Sequence, residues 1–128
     1  MVRKVVGPVI FLGLSAAAAC AEATATLSAK DTGVRYGQAL GVLDVCYGSK
    51  LTDKAKALEQ TFKGAELDAF KLAAASVYDA WVKVRGCTNQ RDPNVCKIIM
   101  DKSCLAAEAE IGQNGSALPG LVEFLPHN

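Results

Sequence analysis

The sequence predicts an all-α domain: a disulfide-stapled, up-down four-helix bundle with helices at about 32–47, 52–63, 65–85 and 93–111 and an irregular C-terminal tail. Three observations predict it. Apolar residues recur at steps of three and four, the spacing of one face of a 3.6-residue helix. Glycines stand where these periodic runs stop, at Gly48, Gly64, Gly86 and Gly112. Of five cysteines, four (Cys46, Cys87, Cys96 and Cys104) lie in or beside the runs, an even number that implies two disulfides in a small exported chain.

Residues 1–21 read as a signal peptide. Arg3 and Lys4 give a positive start, residues 5–19 form a short apolar run with Pro8 and Gly13, and Ala19-Cys20-Ala21 fits a small-x-small cleavage site. The run is shorter than the roughly 20 residues that span a bilayer. It therefore predicts an exported protein, periplasmic or secreted, with no stable membrane span. An uncleaved anchor and a lipoprotein attached through Cys20 are the alternatives. The residues before Cys20 are alanines, where the usual lipobox has a leucine three positions back. Cleavage removes two of 14 basic residues and none of the 13 acidic ones, leaving 12 against 13 and a net charge of −1. No basic patch of the kind nucleic-acid binding needs stands out.

Residues 22–30 read as a flexible, polar leader and 31–112 as the helical domain. Asp31 or Thr32 suits the cap of the first helix. Tyr36, Leu40, Leu43 and Tyr47 share one of its faces, and Gly33, Gly37 and Gly41 line another. Each mid-helix glycine costs about 0.5–1 kcal/mol relative to alanine, so the row needs a reason. Close packing of a neighbouring helix is the first reading; an interaction face is the second. Thr52 caps the second helix, whose stripe is Leu51, Ala55, Leu58 and Phe62, with Glu59 and Lys63 as an exposed i,i+4 pair.

The third helix is the best specified. Leu67, Phe70, Ala74, Val77, Tyr78, Trp81 and Val84 fall on one arc, and Gly86 suits a left-handed C-cap. Asp92-Pro93 restarts the chain as cap and first helical residue. The fourth helix carries Val95, Ile98, Ile99, Met100, Leu105 and Ile111 around most of its circumference, so it is expected at the centre of the bundle. The tail, 113–128, holds turn signals at Asn114-Gly115 and Pro119-Gly120. Its Leu118, Leu121 and Phe124 either close an open end of the core or form an exposed apolar segment that docks on a partner.

Helix lengths predict the cysteine pairing. At 1.5 Å per residue the second helix spans roughly 17 Å and the third roughly 31 Å. The third thus overshoots, carrying Cys87 to the far end beside Cys96. Cys46 and Cys104 then lie at similar heights. The expected pairs are Cys87–Cys96 and Cys46–Cys104.

Several chemistries lack their residues. Histidine-assisted nucleophilic catalysis needs a positioned imidazole, and the one histidine, His127, is penultimate. The sequence has no P-loop, dinucleotide fingerprint, H-E-x-x-H, EF-hand loop, C-x-x-C or haem-attachment motif. Asp79, Asp101 and Glu108 read as solvated stripes. No catalytic residue, metal or cofactor is expected. Phe70, Tyr78 and Trp81 read first as core aromatics and second as the lining of a small apolar pocket.

Tyr78-Asp-Ala-Trp81-Val-Lys-Val-Arg85, followed by Cys87 and by Cys104-Leu105-Ala-Ala-Glu108, resembles the second half of the family that includes the LprI-type periplasmic lysozyme inhibitors. That family places an arginine four residues after a tryptophan, a cysteine soon after, and another cysteine on a following helix. Here Cys87 comes two residues after Arg85, a shorter gap than the family's. The resemblance covers about residues 78–108, implies a small exported helical protein, and carries over no functional residue. The expected function is that of a non-enzymatic binding or interaction protein of the cell envelope with an envelope protein as partner, inhibition of an envelope hydrolase being one form of it. A small-ligand carrier with a pocket near Trp81 is the alternative and an enzyme the third. The sequence leaves the oligomeric state open.

Overall fold

A few residues at element ends decide where the backbone turns. They are seen in a computed structural model that describes residues 27–88 and 91–126. The expected signal peptide, Cys20 and His127 lie outside the described residues.

Helix α1 (Ala29–Val45) starts earlier than Asp31 or Thr32, because Ser28 is its cap. The Ser28 hydroxyl accepts from the Asp31 amide at 3.0 Å, and Thr32 Oγ1 donates to the Ser28 carbonyl at 2.8 Å. The helix ends at Cys46, which is extended, so Tyr47 lies outside it. Gly48, at φ 76°, takes a left-handed conformation that glycine adopts at little cost. It turns the chain into strand β1 (Ser49–Leu51).

Strand β1 pairs antiparallel with β2 (Val122–Phe124), with Leu51 opposite Val122 and Ser49 opposite Phe124. This corrects both the all-α expectation and the irregular tail. The ladder alternates as a one-sided sheet should: Lys50 and Glu123 are exposed, while Val122 is buried and Leu51 half-buried.

The expected second helix shrinks to α2 (Asp53–Ala57) and a 3-10 turn over Leu58–Thr61. Thr52 is its cap, as expected, accepting from the Ala55 amide at 3.2 Å. The same hydroxyl donates to the Gly120 carbonyl at 2.6 Å, which ties the cap to the tail. Leu51 belongs to the ladder and Phe62 is extended, so neither end of the expected stripe is helical. A helix this short has few bonds to offset its nucleation and tightens into 3-10 form. The helical spacing between Glu59 and Lys63 is lost with it.

Helix α3 (Gly64–Arg85) buries Phe70, Ala74 and Trp81 on the predicted face. Gly86 follows it at φ −85°, so this glycine is not the left-handed cap the sequence implied. Helix α4 (Pro93–Ile111) starts as predicted: Asp92 accepts from the Asn94 amide at 2.9 Å and Pro93 takes the first turn.

Helices α1 and α3 run parallel and pack along their lengths, with Gly33 at Phe70, Gly37 at Ala74 and Gly41 at Trp81. Helix α4 runs back along them. Its Glu110 accepts from Arg35 at 2.9 Å and from Gln38 at 2.7 Å, and Cys104 is bonded to Cys46. The result is a mostly helical fold of three long helices, one short one and a two-stranded ladder among the described residues. The expected second wall is only one short turn of helix. For that reason α4 is not the wrapped centre: its buried residues are Ala107 and Ile111, while Ile98, Ile99 and Leu105 are exposed.

The tail fills the end of the core. Leu121 and Val122 are fully buried among Val42, Ala55, Ala107 and Ile111. Tail amides also take the last carbonyls of α4: Leu118 donates to Glu110 at 3.1 Å and Leu121 to Ile111 at 3.0 Å. These acceptors have no partner within the helix. Both expected disulfides are present, with Cα–Cα separations of 5.8 Å for Cys46–Cys104 and 5.7 Å for Cys87–Cys96.

Candidate interaction surface

Three segments converge where α1 ends. Cys46 leaves the helix extended, Tyr47 follows it outward, and Gly48 turns the chain back; the Gly48 carbonyl accepts from the Leu125 amide at 2.8 Å. The Cys46–Cys104 bond fixes α4 against this turn, and β2 brings Phe124 to its side. Between them lies an open groove of about 520 Å³ lined by Val45, Tyr47, Met100, Asp101, Leu105, Glu108 and Phe124 beside the disulfide. Tyr47 is 91% exposed and Leu105 66% exposed. Glu108 and Phe124 form the ridge to a second depression, which adds Glu123 and the exposed Leu125. The surface is therefore mixed: Tyr47, Leu105, Phe124 and Leu125 supply apolar area, and Asp101, Glu108 and Glu123 supply carboxylates. Lys97 bonds one of them, Asp101, at 2.7 Å.

Of the residues singled out from the sequence as site candidates, Cys46, Cys104 and Phe124 lie at this groove, as do Asp101 and Glu108 of the solvated stripes; the others go elsewhere. Gly33, Gly37 and Gly41 are buried against α3, where a Cβ would collide with the backbone carbonyls of Phe70 and Ala74 and with the Trp81 side chain. The row is thus a helix-packing face within the chain and is not open to a partner. Leu121 is buried and Leu118 packs against the core, so the tail closes the core and presents no free segment at these positions. Cys87 and Cys96 staple the other end of α4.

Phe70, Tyr78 and Trp81 do not line one pocket. Phe70 is buried and packs on Tyr36 and Phe62, with ring centroids 5.2 and 5.4 Å away. Trp81 lies in the core over Gly41. Tyr78 reaches the surface, where its hydroxyl donates to Asp44; Arg85 donates to the same carboxylate at 3.1 Å. That bond to Asp44, then burial and the Asp44 charge, raise the Tyr78 hydroxyl above its ordinary 10.0, against the opposing pull of Arg85. A shallow groove of about 210 Å³ touches Phe70 and Tyr78 but not Trp81.

Sequence reasoning missed the groove. Periodicity assigned Tyr47 to a helix face and Leu105 to a wrapped helix. The local signal is Gly48, a turn glycine directly after Tyr47 that ends the helix before it. Among the described residues no group of three or more His, Cys, Asp or Glu side chains is placed to hold a metal ion, and no helix is long and apolar enough to cross a membrane. No family model, curated protein or solved structure matches the chain.

Proposed function

We propose that the chain is a non-enzymatic binding protein of the cell envelope and that the groove beside Cys46–Cys104 is its binding face. One observation carries this reading: Tyr47 and Leu105, both large and mostly exposed, flank a groove whose backbone is locked by a disulfide. Exposed apolar side chains on a rigid frame lose little freedom on binding and make good anchors. Glu108 and Glu123 suit a partner that brings an apolar side chain rimmed by cationic groups. The two disulfides and the targeting features of residues 1–21 support export. The resemblance of residues 78–108 to lysozyme inhibitors makes a lysozyme-type hydrolase the first partner to test.

The experiment adds the mature chain to a lysozyme clearing a cell-wall suspension. Clearing slows with the parent chain and recovers with Leu105→Glu and Tyr47→Ala, while both variants keep the parent's circular dichroism and Tm. An unchanged rate at large molar excess removes the hydrolase. Inhibition that both variants retain removes the groove.

A further inference from the structure

The two disulfides hold α4 in different ways. Cys46 is 6% exposed and belongs to the buried core, and Cys104 packs against that core. The surrounding contacts persist without the bond: Ala39, Val42, Ala107 and Ile111 are fully buried together, and Arg35 and Gln38 grip Glu110. If Cys46–Cys104 were opened, the fold would keep its thiols opposed. Cys87 and Cys96 are outside the core and only half-buried. Cys87 lies just past the end of α3 and Cys96 in the first turn of α4. Residues 93–103 include no buried side chain, and Ile98 and Ile99 are exposed. Among the described residues, no buried side chain of 93–103 would hold this pair together once opened.

We propose that Cys87–Cys96 is a redox-responsive clamp: a dithiol reductant opens it while Cys46–Cys104 stays closed, and opening frees the N-terminal part of α4. A thiolate of the reductant attacks one sulfur of the pair. The S–S bond breaks, leaving one cysteine thiolate and a mixed disulfide. The second thiol of the reductant displaces the bound cysteine. Two electrons and two protons pass to Cys87 and Cys96, and the reductant leaves as its own disulfide. The difference between the pairs lies in the reverse step. Thiols that packing holds opposed re-form their bond readily, and of two disulfides the one outside the core is the more easily reduced. Neither of its cysteines lines the groove, and the clamp is tested without any binding partner, although Met100 and Asp101 of the freed segment do line the groove.

The test equilibrates the oxidised mature chain with graded ratios of reduced to oxidised dithiothreitol. Samples are alkylated and mapped, and parallel samples are read by amide hydrogen exchange. Cys87 and Cys96 are expected to alkylate at a ratio about ten-fold or more below that which opens Cys46 and Cys104. At that point amides of 97–103 exchange about ten-fold faster, while those around Val42, Phe70 and Ile111 keep their protection. Equal midpoints, earlier opening of Cys46–Cys104, or unchanged exchange over 97–103 overturns the proposal. The double variant Cys87→Ser with Cys96→Ser gives a second reading. It should exchange over 97–103 like the partly reduced parent; protection equal to the oxidised parent, or loss of the fold, overturns it.

Discussion

Gly37 places the α1 backbone against the Ala74 carbonyl of α3, with no room for a methyl group between them. Backbone cannot rotate aside as a side-chain tip can, so a Cβ there must push the helices apart. Gly37→Ala should therefore cost about 1–3 kcal/mol despite the better helix propensity of alanine. Gly86→Ala is the control: its φ is −85° and its Cβ would meet nothing closer than 3.5 Å, so urea unfolding should differ from the parent by less than about 0.5 kcal/mol. Equal effects at the two positions would remove the packing account. Tyr78 gives a second residue-scale prediction. Its hydroxyl is held above 10.0 first by its bond to Asp44, so it binds its proton more tightly folded than unfolded. The stability this contributes is complete below pH 10 and is lost as pH rises through the raised value. In an alkaline absorbance titration, Asp44→Asn should move the Tyr78 step down toward 10.0, with Tyr78→Phe identifying that step. A step that stays in place would show that Asp44 is not its cause.

Elements differ in how far local residues determine them. Helix α3 was legible in its extent and buried face, though not in its cap, because seven apolar residues of one stretch fall on a single arc. Helix α4 was legible at its start because Asp92 and Pro93 act within one turn. The β1–β2 ladder was not legible: each strand has three residues, and the partner of Leu51 is Val122, a pairing no local pattern encodes. Missing the ladder hid two further features. It left Leu51 in the second helix, and so overstated that helix. It also left the tail without a partner. Without a full second wall, half of α4 stays exposed, which is why apolar periodicity misread Leu105 and the groove it flanks. The tail's role sets a prediction at this scale. Leu121 is fully buried and its amide takes the Ile111 carbonyl. Leu121→Ala leaves that backbone bond intact and opens a cavity, so it should destabilise by about 2–4 kcal/mol. Leu125→Ala, at an exposed position, should stay within about 0.5 kcal/mol. Chemical denaturation with both variants checks the contrast, and a Leu121→Ala protein as stable as the parent would mean the tail does not close the core.

On the scale of the whole molecule, the three long helices share a small core, and the largest side chains fully buried in the described residues are Phe70, Ile111, Leu121, Val42 and Val122. A core of this size leaves a large part of the stability to the crosslinks. They are unequal. Cys46–Cys104 spans a sequence separation of 58 and Cys87–Cys96 a separation of 9. Loop-closure entropy puts their effects on the unfolded chain at about 4 and about 2.5 kcal/mol. The long-range bond also joins α1 to α4 next to the core, whereas the short one joins two segments outside it. Replacing Cys46 and Cys104 together by alanine should therefore lower unfolding free energy by at least about 1.5 kcal/mol more than replacing Cys87 and Cys96. It should also blunt the cooperativity of the transition, because α4 would then be tied to α1 by non-covalent contacts such as Ala107, Ile111 and the Glu110 bridges and by no covalent link. Urea titrations of the parent and the two double variants, followed by both Trp81 fluorescence and far-ultraviolet circular dichroism, measure both effects. Coincident, equally shifted curves for the two variants would place the molecule's stability in the core rather than in the long crosslink.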